Sequence, residues 1–163
     1  MLLAIDPGPE KSAWVIMDEE TGKLLRFAIE DNNSFISGIR VQQTPSFKNI
    51  DHVAIEMIAS YGMPVGAEVF DTCVWIGRFF EALGTGVPLF RKDVKLHLCG
   101  NPRAKDGNVR QAIIDKYPRT GGGKKPQIGT KSKPGPLYGV ANDVWAALGV
   151  AIYYRETKLL TTQ

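Results

Sequence analysis

The chain has 163 residues, 44% of them apolar and 23% charged, which is the composition of a globular domain able to bury roughly two thirds of its unfolded surface. No apolar run approaches the roughly 20 residues that a membrane-spanning helix needs, and the N-terminus lacks the basic region of a signal peptide. We therefore expect one cytoplasmic domain over residues 1–163, without membrane association. Cys73 and Cys99 are expected to be reduced thiols in its core.

The net charge of +3 conceals an asymmetry along the chain. From Arg91 to Lys133 there are twelve lysines and arginines against three aspartates, a local charge of +9, while the remaining residues sum to −6. A basic segment on a mildly acidic body favours a polyanionic partner. A merely solvated surface loop is the alternative.

The first seven residues after Met1 read as a buried strand and its end. Leu2 to Ile5 are apolar, and the run stops at Asp6 followed by a Pro-Gly turn. A carboxylate at the tip of a central strand costs several kcal/mol to bury unless a cation or hydrogen-bond donors meet it. Asp6 therefore either caps the turn through its own backbone or serves a site.

The next segments predict a sheet around this first strand. Lys11–Met17 and Leu24–Ile29 flank a polar turn containing Gly22, which predicts an antiparallel meander with the first strand innermost. Asp51–Ile58 is a second buried strand, and Glu56 is the lone acid inside its apolar run. If this strand is parallel to the first, Asp6 and Glu56 meet at the edge where open α/β sheets bind ligands.

The remaining pattern is mostly helical. The long helix is predicted over Ala67–Leu83 with Gly84 as its terminator, and a short strand follows at Val87–Phe90, which makes a right-handed crossover. Further helices are predicted at 32–43, 93–100, 106–117 and about 140–155, and a flexible, Gly- and Lys-rich basic loop at about 119–136.

Asp143 opens the last predicted helix. A helix N-terminal acid is the default interpretation, since the helix dipole favours it. However, Ala146, Ala147 and Gly149 would let this helix lie close enough to the sheet for the carboxylate to reach the two strand acids. Three clustered carboxylates are stable when ionised only with bound cations, and oxygen-only ligands select Mg²⁺ or Mn²⁺.

These features together resemble a known family. The element order resembles the RNase H-like nuclease fold, and the motifs resemble the RuvC family of Holliday junction resolvases, particularly its bacteriophage-type members. The resemblance extends over nearly the whole chain and is carried by Ile5-Asp6-Pro7-Gly8, Ala54-Ile55-Glu56, Leu98-Cys99-Gly100 with Ala104-Lys105-Asp106, and Asn142-Asp143-Val144-Trp145-Ala146-Ala147-Leu148.

The resemblance implies a mixed five-stranded sheet flanked by helices, in a homodimer that cuts four-way DNA junctions at two symmetric phosphodiesters. Two Mg²⁺ (or Mn²⁺) ions about 4 Å apart would serve each active site, with Asp6 bridging both and Glu56 and Asp143 each holding one side. No nucleotide cofactor is implied. If the protein is phage-encoded, its compartment is the bacterial host cytoplasm.

DNA contacts are implied at several positions. Tyr61 and Met63 lie in a Gly- and Pro-punctuated loop, and they either insert between bases at the junction centre or pack across a dimer interface. Phosphate contacts are expected from Lys92, Lys95, Arg103, Lys105 and Arg110, of which Lys105 is the strongest by motif. Contacts to the junction arms are expected from Lys124, Lys125, Lys131 and Lys133.

The long helix Ala67–Leu83 is the predicted dimer interface. Val74, Trp75, Phe79 and Phe80 give it more apolar surface than packing on a sheet requires. The alternative is that the helix at about 140–155 covers this excess within one subunit.

One departure from the family pattern leaves other functions open. The family usually places an acid or a histidine one turn before the last catalytic aspartate, and that position is Val140 here. Asn142 is predicted to point about 100° away on the helix, and Asp71 and Asp106 are weak candidates for a fourth acid. The alternatives are another RNase H-like nuclease acting on RNA or branched DNA, or a degenerate junction-binding module. An actin-like phosphotransferase ranks last, because the chain is too short for two lobes.

Overall fold

A computed structural model describes residues 1–41, 47, 49–59 and 64–161. Tyr61 and Met63 therefore lie outside the described residues. The strands are β1 (Leu2–Asp6), β2 (Lys11–Met17), β3 (Leu24–Asp31), β4 (His52–Met57) and β5 (Val87–Phe90). The helices are α1 (Asn32–Val41), α2 (Ala67–Leu83), α3 (Arg91–Cys99), α4 (Asp106–Lys116) and α5 (Val144–Tyr154), which continues as a π-helical turn over Arg155–Leu159.

The five strands form one mixed sheet in the order β3-β2-β1-β4-β5. β1, β2 and β3 are an antiparallel meander, β4 runs parallel to β1, and β5 runs parallel to β4. Residues Leu2 to Ile5 of β1 are fully buried, because the strand is central and both its faces are covered. The predicted sheet is confirmed, with β1 innermost.

Each face of the sheet packs against its own helices. Leu2 and Ala4 point into a core shared with α3, α4 and α5. Leu3 and Ile5 point into a second core shared with α1 and α2. Consequently α2 and α5 lie on opposite faces, so α5 does not cover the apolar excess of α2. No helix in the described ranges is long and apolar enough to cross a membrane.

The buried face of α2 differs from the prediction in two places. Phe79 is fully buried and packs its ring at a tilt against that of Phe35, with centroids 5.2 Å apart, so it belongs to the core. Cys73 is exposed, which corrects its predicted place in the core, whereas Cys99 is half-buried. The exposed apolar side chains of the helix are Phe70 and Val74.

The last helix begins later than its apolar pattern predicts. α5 starts at Val144 rather than Val140, because Gly139 and Asn142 have positive φ angles of 86° and 48°, which a right-handed helix excludes. Val140 is buried in the core beneath this turn. Asp143 is the residue just before the helix rather than a residue of its first turn.

The Gly-rich segment before α5 is held by its own backbone. The amide of Gly121 donates to the carbonyl of Pro126, and that of Gly135 donates to the carbonyl of Ile128. A side chain at Gly129 would overlap the backbone of Gly135, so the chain packs closely against itself between these two glycines. Ile128 packs against the core. The flexibility of this segment stays a prediction, but its backbone follows a defined, closely packed path.

Candidate active site

The two strand acids lie side by side at the carboxyl edge of the sheet. In the parallel pairing of β1 with β4, Ile5 is opposite Ile55, so the next step along both strands brings Asp6 beside Glu56. Asp6 is partly buried, and Glu56 is only 8% exposed. The predicted approach of these two carboxyl groups therefore follows from the register of the sheet.

Asp143 reaches the same place from α5. It occupies the N-cap position, but its side chain makes no capping hydrogen bond within the described part of the chain. Further along α5, Gly149 lets the helix lie close to α3, since a side chain there would lie 3.3 Å from Val94. Asp6, Glu56 and Asp143 all line one cavity of about 120 Å³, together with Arg91, Val94, Lys95, Asp106, Val109, Asn142, Trp145 and Ala146.

The electrostatics of Asp6 reflect this crowding. Burial and the nearby Glu56 carboxylate raise the pKa of Asp6 well above its usual range, and the charge of Asp143 adds to the rise. The positive charge of Arg91 opposes it. A site in which like charges raise a carboxyl pKa is one that an added cation stabilises.

Arg91 was missed in the sequence analysis, and it bonds one of the two strand acids directly. Its Nη1 donates to Oε1 and Oε2 of Glu56 at 3.2 and 3.3 Å, and its Nη2 donates to Oδ1 of Asp106 at 2.9 Å. Burial works against the charged form, but the two carboxylates raise the pKa of Arg91 overall. Its position as the first residue after β5, beside the end of β4, was the available signal.

The side chains of this site suit a hard divalent cation, because the ligand atoms that they offer are oxygens. These are the carboxylate oxygens of the acids and the amide oxygen of Asn142. In the described ranges, no three acidic, histidine or cysteine side chains are already gathered closely enough to hold a metal ion. Arg91 bonds both oxygens of Glu56 in this structure, so a cation at this site would have to share this carboxylate with Arg91 or displace it.

The position one turn before Asp143 does not supply a fourth ligand. Val140 is buried in the core rather than in the cavity. Asn142 lines the cavity from its left-handed backbone conformation, which corrects its predicted orientation on a helix. Asp106 also lines it and bonds Arg91 and Lys95. Asp71 is an exposed residue of α2 and is not among the residues lining this cavity.

The predicted basic residues fall into two groups, of which the first lies beside the site. Lys92, Lys95 and Arg103 line a groove of about 540 Å³ with Arg91 and Pro102. Arg110 stacks over the ring of Trp145, with its guanidinium carbon 4.8 Å from the ring centroid, and Lys105 is exposed just before α4. The second group is exposed on the Gly-rich segment and comprises Lys124, Lys125, Lys131 and Lys133.

No family model and no curated protein matches the sequence. Among solved structures, the chain is similar to RuvC from Thermus thermophilus, with a TM-score of 0.65 and 16% identity. It is also similar to T. thermophilus RuvC in complex with a Holliday junction substrate, with a TM-score of 0.61 and 17% identity. Each comparison covers 99% of this chain and 96% of the other. The chain therefore has the RNase H-like fold seen in RuvC, which confirms the predicted fold class.

Proposed function

We propose that this protein is a structure-selective endonuclease that resolves four-way DNA junctions by paired, metal-dependent phosphodiester hydrolysis. One observation carries the proposal. Asp6, Glu56 and Asp143 line one cavity at the carboxyl edge of a sheet whose fold is that of RuvC. The neighbouring T. thermophilus structure was determined with a Holliday junction substrate, which supports the same substrate class here.

Asp6, Glu56 and Asp143 are the proposed ligands of two Mg²⁺ (or Mn²⁺) ions. When bound, such ions supply Lewis acidity for in-line displacement at phosphorus. The protein contributes position and charge: β1 and β4 fix two carboxylates in register, and the turn before α5 brings the third. Asn142, beside Asp143, is a neutral oxygen donor able to orient a water molecule or complete the ligand set.

The proposed path of the DNA backbone is the basic groove beside the cavity. Arg91, Lys92, Lys95 and Arg103 line this groove, and Arg91 also bonds Glu56. Phosphate contacts of this kind position a duplex without reading its sequence. Lys105 and Arg110 extend the same surface along α4, and the lysines of the Gly-rich segment are proposed to contact the junction arms.

We also propose that the protein acts as a homodimer. A four-way junction has approximate two-fold symmetry, and one chain carries one Asp6–Glu56–Asp143 set, so two symmetric cuts call for two chains. The exposed apolar side chains on α2 offer the contact surface.

The test is incubation of the protein with labelled four-way, Y-shaped and linear DNA, each with and without Mg²⁺. We expect symmetric nicks in the four-way junction alone, and only with Mg²⁺. Equal cutting of the Y-shaped or linear DNA would indicate a general nuclease instead.

A junction-binding module without catalysis is the second candidate. It is favoured by the ion pair that Arg91 makes with Glu56 and by the buried Val140 at the usual position of a further ligand. This candidate predicts retarded migration of the four-way junction in a gel and no cleavage at any Mg²⁺ concentration. The same set of substrates therefore separates the two functions.

A further inference from the structure

Arg91 joins the acidic cavity to the basic groove. Its guanidinium bonds both oxygens of the Glu56 carboxylate through one nitrogen, and its other terminal nitrogen bonds Asp106. The same side chain also lines the groove that contains Lys92 and Arg103. It therefore lies where a site for cations meets a site for phosphate.

Arg91 competes with any metal ion for the carboxylate of Glu56. The Glu56 side chain is largely buried, and a guanidinium does not lose its charge at accessible pH. A divalent cation that takes Glu56 as a ligand must use oxygens that Arg91 now occupies. The cation must also bind despite repulsion from the Arg91 guanidinium, or displace that side chain.

A side chain of Arg91 displaced from Glu56 would still have a bonding partner near the surface. Its side chain is partly exposed, and its partner Asp106 lies at the surface, where Lys95 bonds the same Oδ1 at 3.2 Å. Release from Glu56 would leave the guanidinium at the edge of the groove, among cations that attract phosphate.

We propose that Arg91 is the resident counter-ion of this site, which holds Glu56 in the absence of a divalent cation and competes with that cation for the carboxylate. Asp106 holds the other side of Arg91 and so weakens its hold on Glu56. The inference rests on the proposed function, because it takes Glu56 as a metal ligand.

The test is Mn²⁺ binding by the full chain without DNA, followed by the electron paramagnetic resonance signal of free Mn²⁺. We expect Arg91→Gln to bind Mn²⁺ about three- to tenfold more tightly than the wild type, because a competing charge a few ångströms away is removed. Lys92→Gln is the matched control: it removes a neighbouring positive charge that does not contact Glu56, and we expect a change below about twofold.

Arg91→Lys provides a second variant that keeps the charge. A lysine lacks the fork that bonds Glu56 and Asp106 together, so its Mn²⁺ affinity should lie between those of the wild type and Arg91→Gln. Thermal unfolding without metal checks that each variant is folded.

A double-mutant cycle separates the two roles open to Asp106. If Asp106 acts through Arg91, Asp106→Asn weakens Mn²⁺ binding in the wild type and has no effect in the Arg91→Gln background. Equal weakening in both backgrounds would make Asp106 a metal ligand and overturn its role as the holder of Arg91.

The outcomes also separate this inference from the proposed function. Mn²⁺ binding and junction cleavage by the wild type, with unchanged or weaker Mn²⁺ binding by Arg91→Gln, would overturn the counter-ion role alone. A wild type that neither binds Mn²⁺ nor cuts the junction would overturn the proposed nuclease and this inference with it.

Discussion

Asp6 and Glu56 each follow directly after the register pair Ile5–Ile55 on two neighbouring parallel strands, so their carboxyl groups lie side by side at the edge of the sheet. Two adjacent acids in this position repel phosphate and each other unless a cation intervenes. The geometry therefore predicts opposite effects on catalysis and on DNA binding when one of the charges is removed.

The first prediction concerns Asp6→Asn. We expect junction cleavage to fall by about a thousandfold or more, as for the loss of a central catalytic group, while junction binding persists or tightens. Gel-shift and cleavage assays on one four-way junction measure both. Asp115→Asn, which changes an exposed aspartate of α4 outside the cavity, is the matched control and should cut normally. Full cutting by Asp6→Asn would end the three-carboxylate model.

The second prediction concerns salt. If the basic residues contact phosphates, the logarithm of junction affinity should fall with the logarithm of salt concentration by about 0.9 per contact. Lys124→Ala combined with Lys125→Ala should flatten the slope by no more than about two contacts. Lys23→Ala, on the turn between β2 and β3, should leave it unchanged. A slope unaffected by the double substitution would exclude these two lysines from the DNA surface.

The third prediction concerns the packing of the Gly-rich segment. Gly123 and Gly129 have nearly the same φ, 78° and 79°, but their surroundings differ. A Cβ at Gly129 would lie 2.6 Å from the carbonyl oxygen of Lys133, whereas one at Gly123 would meet only a methyl group of Thr130 at 3.1 Å.

Gly129→Ala should therefore lower the free energy of unfolding by more than Gly123→Ala, which carries only the left-handed backbone cost of about 1 kcal/mol. Urea unfolding of the two variants measures the difference. If the segment is flexible in solution, as its composition predicts, both alanines are accommodated and the two variants unfold alike.

The fourth prediction concerns pH. Burial works to raise the pKa of Glu156, but hydrogen bonds from Lys116 and His97 lower it overall. A carboxyl whose folded-state pKa is lowered stabilises the fold above its unfolded pKa, and that contribution is lost as pH falls through the folded value.

Glu156→Gln should accordingly destabilise the protein at pH 6, by no more than about 1 kcal/mol because the pair is partly exposed to water. The difference from the wild type should shrink toward pH 3. Urea unfolding at both pH values tests it, with the exposed Glu10→Gln as control. A difference that stays constant with pH would assign the effect of Glu156 to packing rather than charge.

The parts of the fold that depend on local pattern were predictable from the sequence. The buried run Leu2 to Ile5 identifies a central strand, and the three- and four-residue apolar spacing identifies α2 with its bounds at Ala67 and Leu83. Parallel neighbours then bring Asp6 and Glu56 together, because Asp6 ends its apolar run and Glu56 lies near the C-terminal end of its own, at the same edge of the sheet.

The parts that depend on tertiary placement were not predictable in this way. The contact of Arg91 with Glu56 requires the pairing of β4 with β5, which places the first residue of α3 beside the end of β4. The left-handed conformation of Asn142 cannot be inferred from the apolar spacing of α5, because that spacing continues back to Val140. The burial of Phe79 against Phe35 depends on which face of α2 meets the sheet.

The last prediction concerns the proposed dimer. On α2, Phe70 and Val74 are 62% and 60% exposed and lie one turn apart, so they form a continuous apolar surface. α5 packs on the opposite face of the sheet and leaves this surface uncovered. A change at Phe79, by contrast, would disrupt the core rather than a surface, since that side chain is fully buried.

We expect light scattering of the wild type to give about twice the chain mass of 17.9 kDa, and Phe70→Arg or Val74→Asp to shift it toward the monomer without loss of folded structure. Leu96→Arg is the matched control, because Leu96 is an exposed apolar residue of α3, away from α2. The monomeric variants should bind the junction more weakly and lose concerted cutting of its two strands, since each has one active site. A wild type that is monomeric at micromolar concentration and still cuts both strands in concert would contradict the dimer.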